Sequence, residues 1–494
     1  MESTAQPLIF KQEYDVTGDV FTKGYHTNTL DGGMILITRS TNINGTQYFT
    51  LFKTFANGDL QWSQRFVQPG NCSLSNVVQS PDSTYFFCFV ELNYPEKYYI
   101  TKLDANGNLL YCKSLTPPSG YIVAFDPQCI AKSDGNIYIA SDLNNLVTGM
   151  FAWHLFEVDA AGTIVFSTCY NGGFLKCLGR SISLCTNGDI LFAGYQRDSV
   201  AMHYGPMLTR IDSDGVVLWS NLYLDTTADI AGLSAFEMNN GQIVMMASHT
   251  TPGNELIRLQ TDAQGNLIRA REYGRPLHSI SPSTALVVEH NSLIAFGTTD
   301  TGSFCVKLDS IGEVLHAKRF SWIVPNRMRT TVGPGYSFGG VNTQTNHATI
   351  FTSDTTLTSC FGTTITIDTG SVTFQTLPQT MSYAVQLFDT AFALQDTLWP
   401  GSNIKVCGPV GIEEPQEAET LLVYPNPASD VVRIEGINGP VQVSLLSVTG
   451  QLLSDAHYRG ALVTIDVSGL ADGTYLVKIV SGEISLVRKI IVRH

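Results

Sequence analysis

One phrase recurs along this chain and limits what it can fold into more than any other feature. Asp104-Ala105-Asn106-Gly107 stands between the apolar runs Thr101–Leu103 and Asn108–Cys112. An Asx-Gly pair between such runs is a hairpin signal, because the turn needs positive φ and Gly or Asn supplies it cheaply. The phrase returns as Asp159-Ala160-Ala161-Gly162, Asp212-Ser213-Asp214-Gly215, Asp262-Ala263-Gln264-Gly265 and Asp309-Ser310-Ile311-Gly312. Phe55-Ala56-Asn57-Gly58 is a variant without the leading Asp.

The strand after each turn ends at Phe66, Leu115, Tyr170, Tyr223, Tyr273 or Phe320, at intervals of 49, 55, 53, 50 and 47 residues. A period near 50 made of strands and turns marks a β-propeller with one four-stranded blade per period. No segment carries the 3.6-residue periodicity that a helical solenoid needs. Each period also holds an earlier turn followed by an apolar run, as in Asp134-Gly135-Asn136-Ile137 and Asn187-Gly188-Asp189-Ile190. Such runs suit a strand covered on both faces by neighbouring blades.

Six blades are expected over about 19–320, and a degenerate seventh follows with Gly335–Gly340 and His347–Asp354 as two of its strands. Leu8–Tyr14 matches the outer strand Leu267–Tyr273 but has no blade upstream. It is expected to complete the last blade and tie the ends of the ring together, which removes an exposed edge. The expected class is therefore all-β: a seven-bladed propeller over 1–362, a linker over 363–420 and a small β-sandwich over 421–494. The linker reading rests on the Thr/Ser/Pro-rich text after Cys360 and the acidic run Glu413–Glu419.

Charge excludes some partners. The net charge is −14 with 29 Lys and Arg in 494 residues and no basic run. Nucleic acid, which needs clustered cations, is not expected, and no apolar run is long enough to span a membrane. The ten cysteines form no Cys-x-x-Cys pair, so a zinc ribbon is not expected. Cys360 and Cys407 bracket a polar segment and are the candidate disulfide, worth roughly 4 kcal/mol by loop closure if the compartment is oxidising.

Catalytic signals are weak. Gly335-Tyr336-Ser337-Phe338-Gly339 fits the nucleophile-elbow pattern but falls in a blade strand with no helix after it. Asp212-Ser213-Asp214-Gly215 lacks the later ligands of a calcium loop. His154 and His203 are isolated and read as packing or exposed residues, and Trp62 and Trp219 read as blade packing. The loops Ser40–Asn44, Asn93–Lys97, Leu143–Gly149 and Gln196–Gly205 share no chemistry. No catalytic, metal or cofactor residue is assigned. A binding face for a glycan, protein or small ligand is favoured over a glycan-active hydrolase or lyase.

The tail is more specific. Short strands are expected at Val431–Ile434, Val441–Ser447, Val463–Asp466, Gly473–Val480 and Val487–Val492. They follow the run Val423-Tyr424-Pro425-Asn426-Pro427-Ala428-Ser429-Asp430. With Gly450-Gln451, Asp472-Gly473-Thr474-Tyr475 and Lys489-Ile490-Ile491-Val492 in order, this segment resembles the type A C-terminal sorting domain of the type IX (Por) secretion system. The candidate sorting-signal residues are Tyr424, Pro425, Asn426, Pro427, Gly450, Gly473, Tyr475 and Lys489.

The resemblance implies a Bacteroidota-type protein whose folded tail is recognised by outer-membrane machinery. The tail would then be cleaved, and the cargo released or tethered to surface lipopolysaccharide. Met1–Gln6 has neither the basic nor the apolar region of a signal peptide, so this expectation requires a leader removed or missed. Asp389-Thr390-Ala391 and Asp396-Thr397-Leu398 also resemble the O-glycosylation motif of this bacterial group.

Overall fold

The computed structural model describes residues 9–494 except 17, 94–95, 118–119, 124–126, 171–176, 199, 251–254, 275–280, 288–291, 300–301, 321–322, 331–334, 360–362, 366, 368, 380–382, 385–387, 393–395, 398–401, 408–421, 436–439, 448–451, 460–461 and 482–483. All described regular structure is strand. The chain divides into two compact units, Met1–Pro409 and Val410–His494.

Among the described residues, seven antiparallel sheets build the first unit. The first comprises Val20–Asn28, Met34–Thr41, Gln47–Thr54 and Leu60–Val67, in that order from the inside outward. The others repeat this plan. In the second and third the inner strand is broken, into Cys72–Leu74 with Val78–Gln79 and Tyr121–Val123 with Gln128–Ala131. Among the described residues, an apolar cluster lies between each pair of consecutive sheets. Ile35 and Phe49 of the first meet Phe87 and Phe89 of the second, and the series continues to Phe296 of the sixth with Phe338 of the seventh. The cluster of Val341 and Ile350 with Phe21 and Leu36 joins the seventh back to the first. The sheets thus close into a ring, and each buries both faces, which explains their two-sided apolar strands.

The recurrent hairpin is part of that closure. Asp104 Oδ1 accepts the backbone N–H groups of Asn106 (2.8 Å) and Asn108 (2.9 Å), while Gly107 takes φ +84°. A Cβ at Gly107 would lie 2.9 Å from the Trp62 ring of the preceding blade. Gly265 meets Trp219 in the same way, at 2.7 Å. The glycine is therefore required twice, by its backbone and by its neighbour. The terminal tyrosines complete the joint: the hydroxyls of Tyr170, Tyr223 and Tyr273 each donate to the carbonyl of Gly215, Gly265 and Gly312 in the next blade, at 2.7 Å. The seventh sheet keeps the turn without its glycine. Asp354 Oδ1 caps Thr356 and Thr358, and Leu357 takes φ +62°.

The N-terminal strand Lys11–Asp15 pairs with His347–Ser353 in the seventh sheet. Glu13 is buried there and accepts from Asn342 (2.6 Å) and Thr345 (2.9 Å). Tyr14 donates to Gly58 of the first blade at 2.6 Å.

One expectation is corrected. The stretch beginning at 363 is not a linker as far as 407. It travels round the ring in reverse, adding a fifth, outermost strand to every sheet. Thr363–Thr364 pairs with the sixth, Thr369–Ser371 with the fifth and Gln375–Pro378 with the fourth. Tyr383–Ala384, Phe388–Phe392 and Asp396–Thr397 take the third, second and first. Ser402–Cys407 ends on the N-terminal strand. Ile367 and Phe374 of this belt are buried in the clusters between sheets. The Asp389-Thr390-Ala391 tripeptide lies within a belt strand, and so do Asp396 and Thr397 of the second, whose Leu398 is outside the described residues.

The second unit has a sheet of Leu422–Tyr424, Val431–Glu435 and Leu462–Asp466, and a sheet of Leu452–Arg459, Pro440–Ser447, Gly473–Ser481 and Ile484–Val492. Between them lies a core that includes Val432, Ile434, Val443, Leu445, Val477, Ile479 and Ile490, as a β-sandwich requires.

Candidate functional site

The Pro-Asn-Pro run joins the two sheets of the sandwich. Tyr424 ends the strand paired to Val431–Glu435, opposite Arg433, and its hydroxyl donates to Glu435. The Asn426 side chain then reaches the last strand, donating from Nδ2 to the Lys489 carbonyl (2.9 Å) and accepting from the Ile491 N–H (2.8 Å). The primary amide offers a donor and an acceptor side by side, as a peptide group does. The adjoining backbone continues the contact, with Ala428 N–H donating to Ile491 and Arg493 N–H to Ala428, both at 2.8 Å.

Pro425, Asn426 and Pro427 remain exposed. Proline suits both flanks, since it has no N–H to leave unpaired. Tyr475 donates to the Ala471 carbonyl at 2.8 Å. Gly473 opens its strand with only ordinary contact distances around a Cβ. The side chain of Lys489 is exposed, and its backbone carbonyl makes the contact with Asn426. Gly450 lies outside the described residues. So does Cys360, and with it the candidate disulfide to Cys407.

In the ring, Ser337 is the second residue of the strand Tyr336–Asn342 and fully buried, its Oγ 3.0 Å from His26 Nε2 and 3.1 Å from Asn28 Oδ1. The Ser–His contact joins the seventh blade to the first and is shut off from solvent, so it serves packing. Asp212 is used up in its turn, accepting from Asp214 and Val216. Trp219 donates to Ala263 of the next blade at 3.0 Å. His203 pairs with Asp229 at 3.0 Å.

Two titratable groups are sealed inside the third blade. His154 faces the Tyr98 hydroxyl at 3.2 Å and Ser167 at 2.9 Å, and burial pushes its pKa down to about 3. Asp142 accepts the Gly179 N–H at 2.7 Å, and its second oxygen is unpartnered. Burial pushes its pKa up to about 8, against the Gly179 hydrogen bond and the Arg180 charge. The void beside it is about 10 Å³, room for one water at most.

These shifts have opposite signs in stability. The unfolded Asp142 ionises near 3.8, so what its neutral form contributes is present below that pH and lost as pH rises to about 8. The unfolded His154 protonates near 6.5, so stability is lost as pH falls from there toward 3. Asp142→Asn is therefore expected to melt with wild type at pH 4 and well above it at pH 9. Equal melting at both ends, measured by differential scanning fluorimetry, contradicts the assignment.

A roomier cleft, about 390 Å³, lies where the inner strands of the first three blades end. Asn28, Thr29, Gln79, Cys129 and Ile130 are among the residues that line it. The Leu30 N–H donates to Gln79 Oε1 there, at 2.7 Å.

The ring and the sandwich together define a β-propeller protein with a C-terminal β-sandwich domain. Residues 422–493 match the family described as the secretion system C-terminal sorting domain. That tail indicates a type IX-secreted protein, and the ring ahead of it has a propeller fold. No curated protein matches it. Among solved structures, PorZ, a surface component of the type IX secretion system of Porphyromonas gingivalis, aligns at 13% identity and TM-score 0.38, over 93% of this chain and 58% of that one. The Dos1 propeller aligns at 11% identity and TM-score 0.45, over 70% of this chain and 95% of that one. The β-propeller domain of the Trilobed protease from Pyrococcus furiosus aligns at 10% identity and TM-score 0.43, over 71% of this chain and 97% of that one.

Proposed function

We propose that the ring is an extracellular binding module, delivered by its sandwich to the type IX machinery and left at the cell surface or released after cleavage. The observation that carries this reading is the sorting-domain match over 422–493. The exposed Pro425-Asn426-Pro427 run, held from behind by Asn426, supplies a rigid surface for that machinery to read. A tether to surface lipopolysaccharide belongs to the same proposal. For the ring, the ligand is a glycan, a protein or a small molecule. The cleft lined by Asn28, Thr29 and Gln79 supports this, with amide and hydroxyl groups able to take polar ligands. A hydrolase reading has less support, because Ser337, His26 and Asp142 are all buried.

The export test places the full chain behind an inner-membrane leader in a cell with a working type IX apparatus. It is expected at the surface or in the medium, while a chain lacking 410–494 stays in the periplasm. Asn426→Leu removes two hydrogen bonds, each worth about 0.5–1.5 kcal/mol, and is expected to reduce export. Unchanged export of the tail-less chain refutes the reading. A glycan array with residues 1–409, combined with product analysis, separates binding from turnover.

A further inference from the structure

The end of the fifth blade gathers three side chains of metal-binding type. His249 closes the strand Ile243–His249, Glu255 immediately precedes Leu256–Thr261, and Glu272 is next to last in Leu267–Tyr273. Antiparallel pairing brings these strand ends together. His249 N–H donates to the Glu255 carbonyl at 3.2 Å, and Glu272 stands opposite Ile257. Opposed residues, and residues two apart, share a face of a sheet. His249, Glu255 and Glu272 therefore share one.

One ligand atom from each lies within 4.8 Å of the others. His249 Nε2 is 3.6 Å from Glu272 Oε1, with those side chains 16% and 29% exposed. Among the described residues no lysine or arginine pairs with Glu255 or Glu272, so two carboxylates face a single imidazole. The belt leaves the site open as well. Its residue opposite Glu272 is Gly370, where even a Cβ would sit 3.8 Å from the carboxylate. Beyond lies a cleft of about 550 Å³ that His249 and Glu272 line with Asp225, Thr227 and Ser371.

We propose that His249, Glu255 and Glu272 bind a divalent transition-metal ion, zinc above others, with the remaining coordination position facing the cleft. One imidazole nitrogen and two carboxylate oxygens form a donor set that zinc accepts, and three protein ligands leave a tetrahedral ion one open site. Zinc bonds of about 2.0–2.2 Å put tetrahedral ligands roughly 3.3 Å apart, so side-chain rotation alone completes the cage. The harder cations calcium and magnesium prefer all-oxygen sites, which the imidazole opposes.

The test uses the full chain, stripped with chelator and titrated with zinc chloride by calorimetry. A parallel cobalt titration is followed by visible absorption. One equivalent is expected to bind, with cobalt giving a tetrahedral spectrum. His249→Ala and Glu272→Gln are each expected to weaken binding roughly tenfold or more, and His203→Ala to leave it unchanged. Glu255→Gln, nearly isosteric, provides the same readout if His249→Ala does not fold. Absence of binding to wild type, or equal affinity in wild type and the ligand variants, overturns the site.

Discussion

A chain ending at residue 362 is expected to aggregate, or to melt at least about 10 °C below one ending at 409. The longer chain keeps the whole first compact unit. The shorter one loses all seven belt strands, from Thr363–Thr364 to Ser402–Cys407. Every blade then presents an unpaired outer edge, and an open edge is a template for pairing with another chain. The loss also strips Ile367 and Phe374 from the clusters between blades. Burial of a side chain of that size stabilises by about 1.5–3 kcal/mol, against a net stability of only about 5–15 kcal/mol for a typical domain. Light scattering and calorimetry on the two truncations decide the matter. A 1–362 chain that is monomeric and melts within about 2 °C of 1–409 contradicts the role assigned to the belt.

The belt also shows where sequence reading stops. Its strands are two to six residues long, too short for an alternating pattern to register. Their partners lie up to hundreds of residues away, so no local signal announces them. The Thr- and Pro-rich text between them is what a linker looks like. The hairpins were legible for the opposite reason: Asp104 and Gly107 act within four residues, through a side-chain cap and a positive φ. Half of the next level was also visible, since the terminal aromatics and the turn glycines both recur. Their meeting, as in Tyr170 with Gly215, spans two blades and needs the ring.

The seventh turn escaped because Leu357 stands where the other copies have glycine. In the tail, Tyr424 to Pro427 were legible as a motif, but not the grip of Asn426 on the last strand. The strand Leu452–Arg459 was missed because its text is polar and largely exposed. The trio at the end of the fifth blade left no trace, since its three residues share no spacing pattern.

Deleting residues 1–16 is expected to have an effect of similar size, and for a linked reason. The strand Lys11–Asp15 is paired on both sides, with His347–Ser353 and with Ser402–Cys407. Its loss removes the outer strand of the seventh blade and also the anchor on which the belt ends. Phe10, Tyr14 and Val16 leave the cluster that joins the seventh blade to the first, and Gly58 loses the Tyr14 hydroxyl. Three buried apolar side chains at about 1.5–3 kcal/mol each approach the whole net stability of a domain, so the melting temperature is expected to fall by about 10 °C or more. A milder variant tests the same joint. Burial pushes the Glu13 carboxyl up, but hydrogen bonds from Asn342, Thr345 and Lys11 outweigh it and hold its pKa below the ordinary value of 4.5. That contribution is present above pH 4.5 and is lost as pH falls through the depressed folded value. Glu13→Gln is therefore expected to lower the melting point at pH 7 and to converge with wild type in acid. Melting of the 17–494 chain at the wild-type temperature, or an equal deficit of Glu13→Gln at every pH, rules out the N-terminal strand as the closure of the ring.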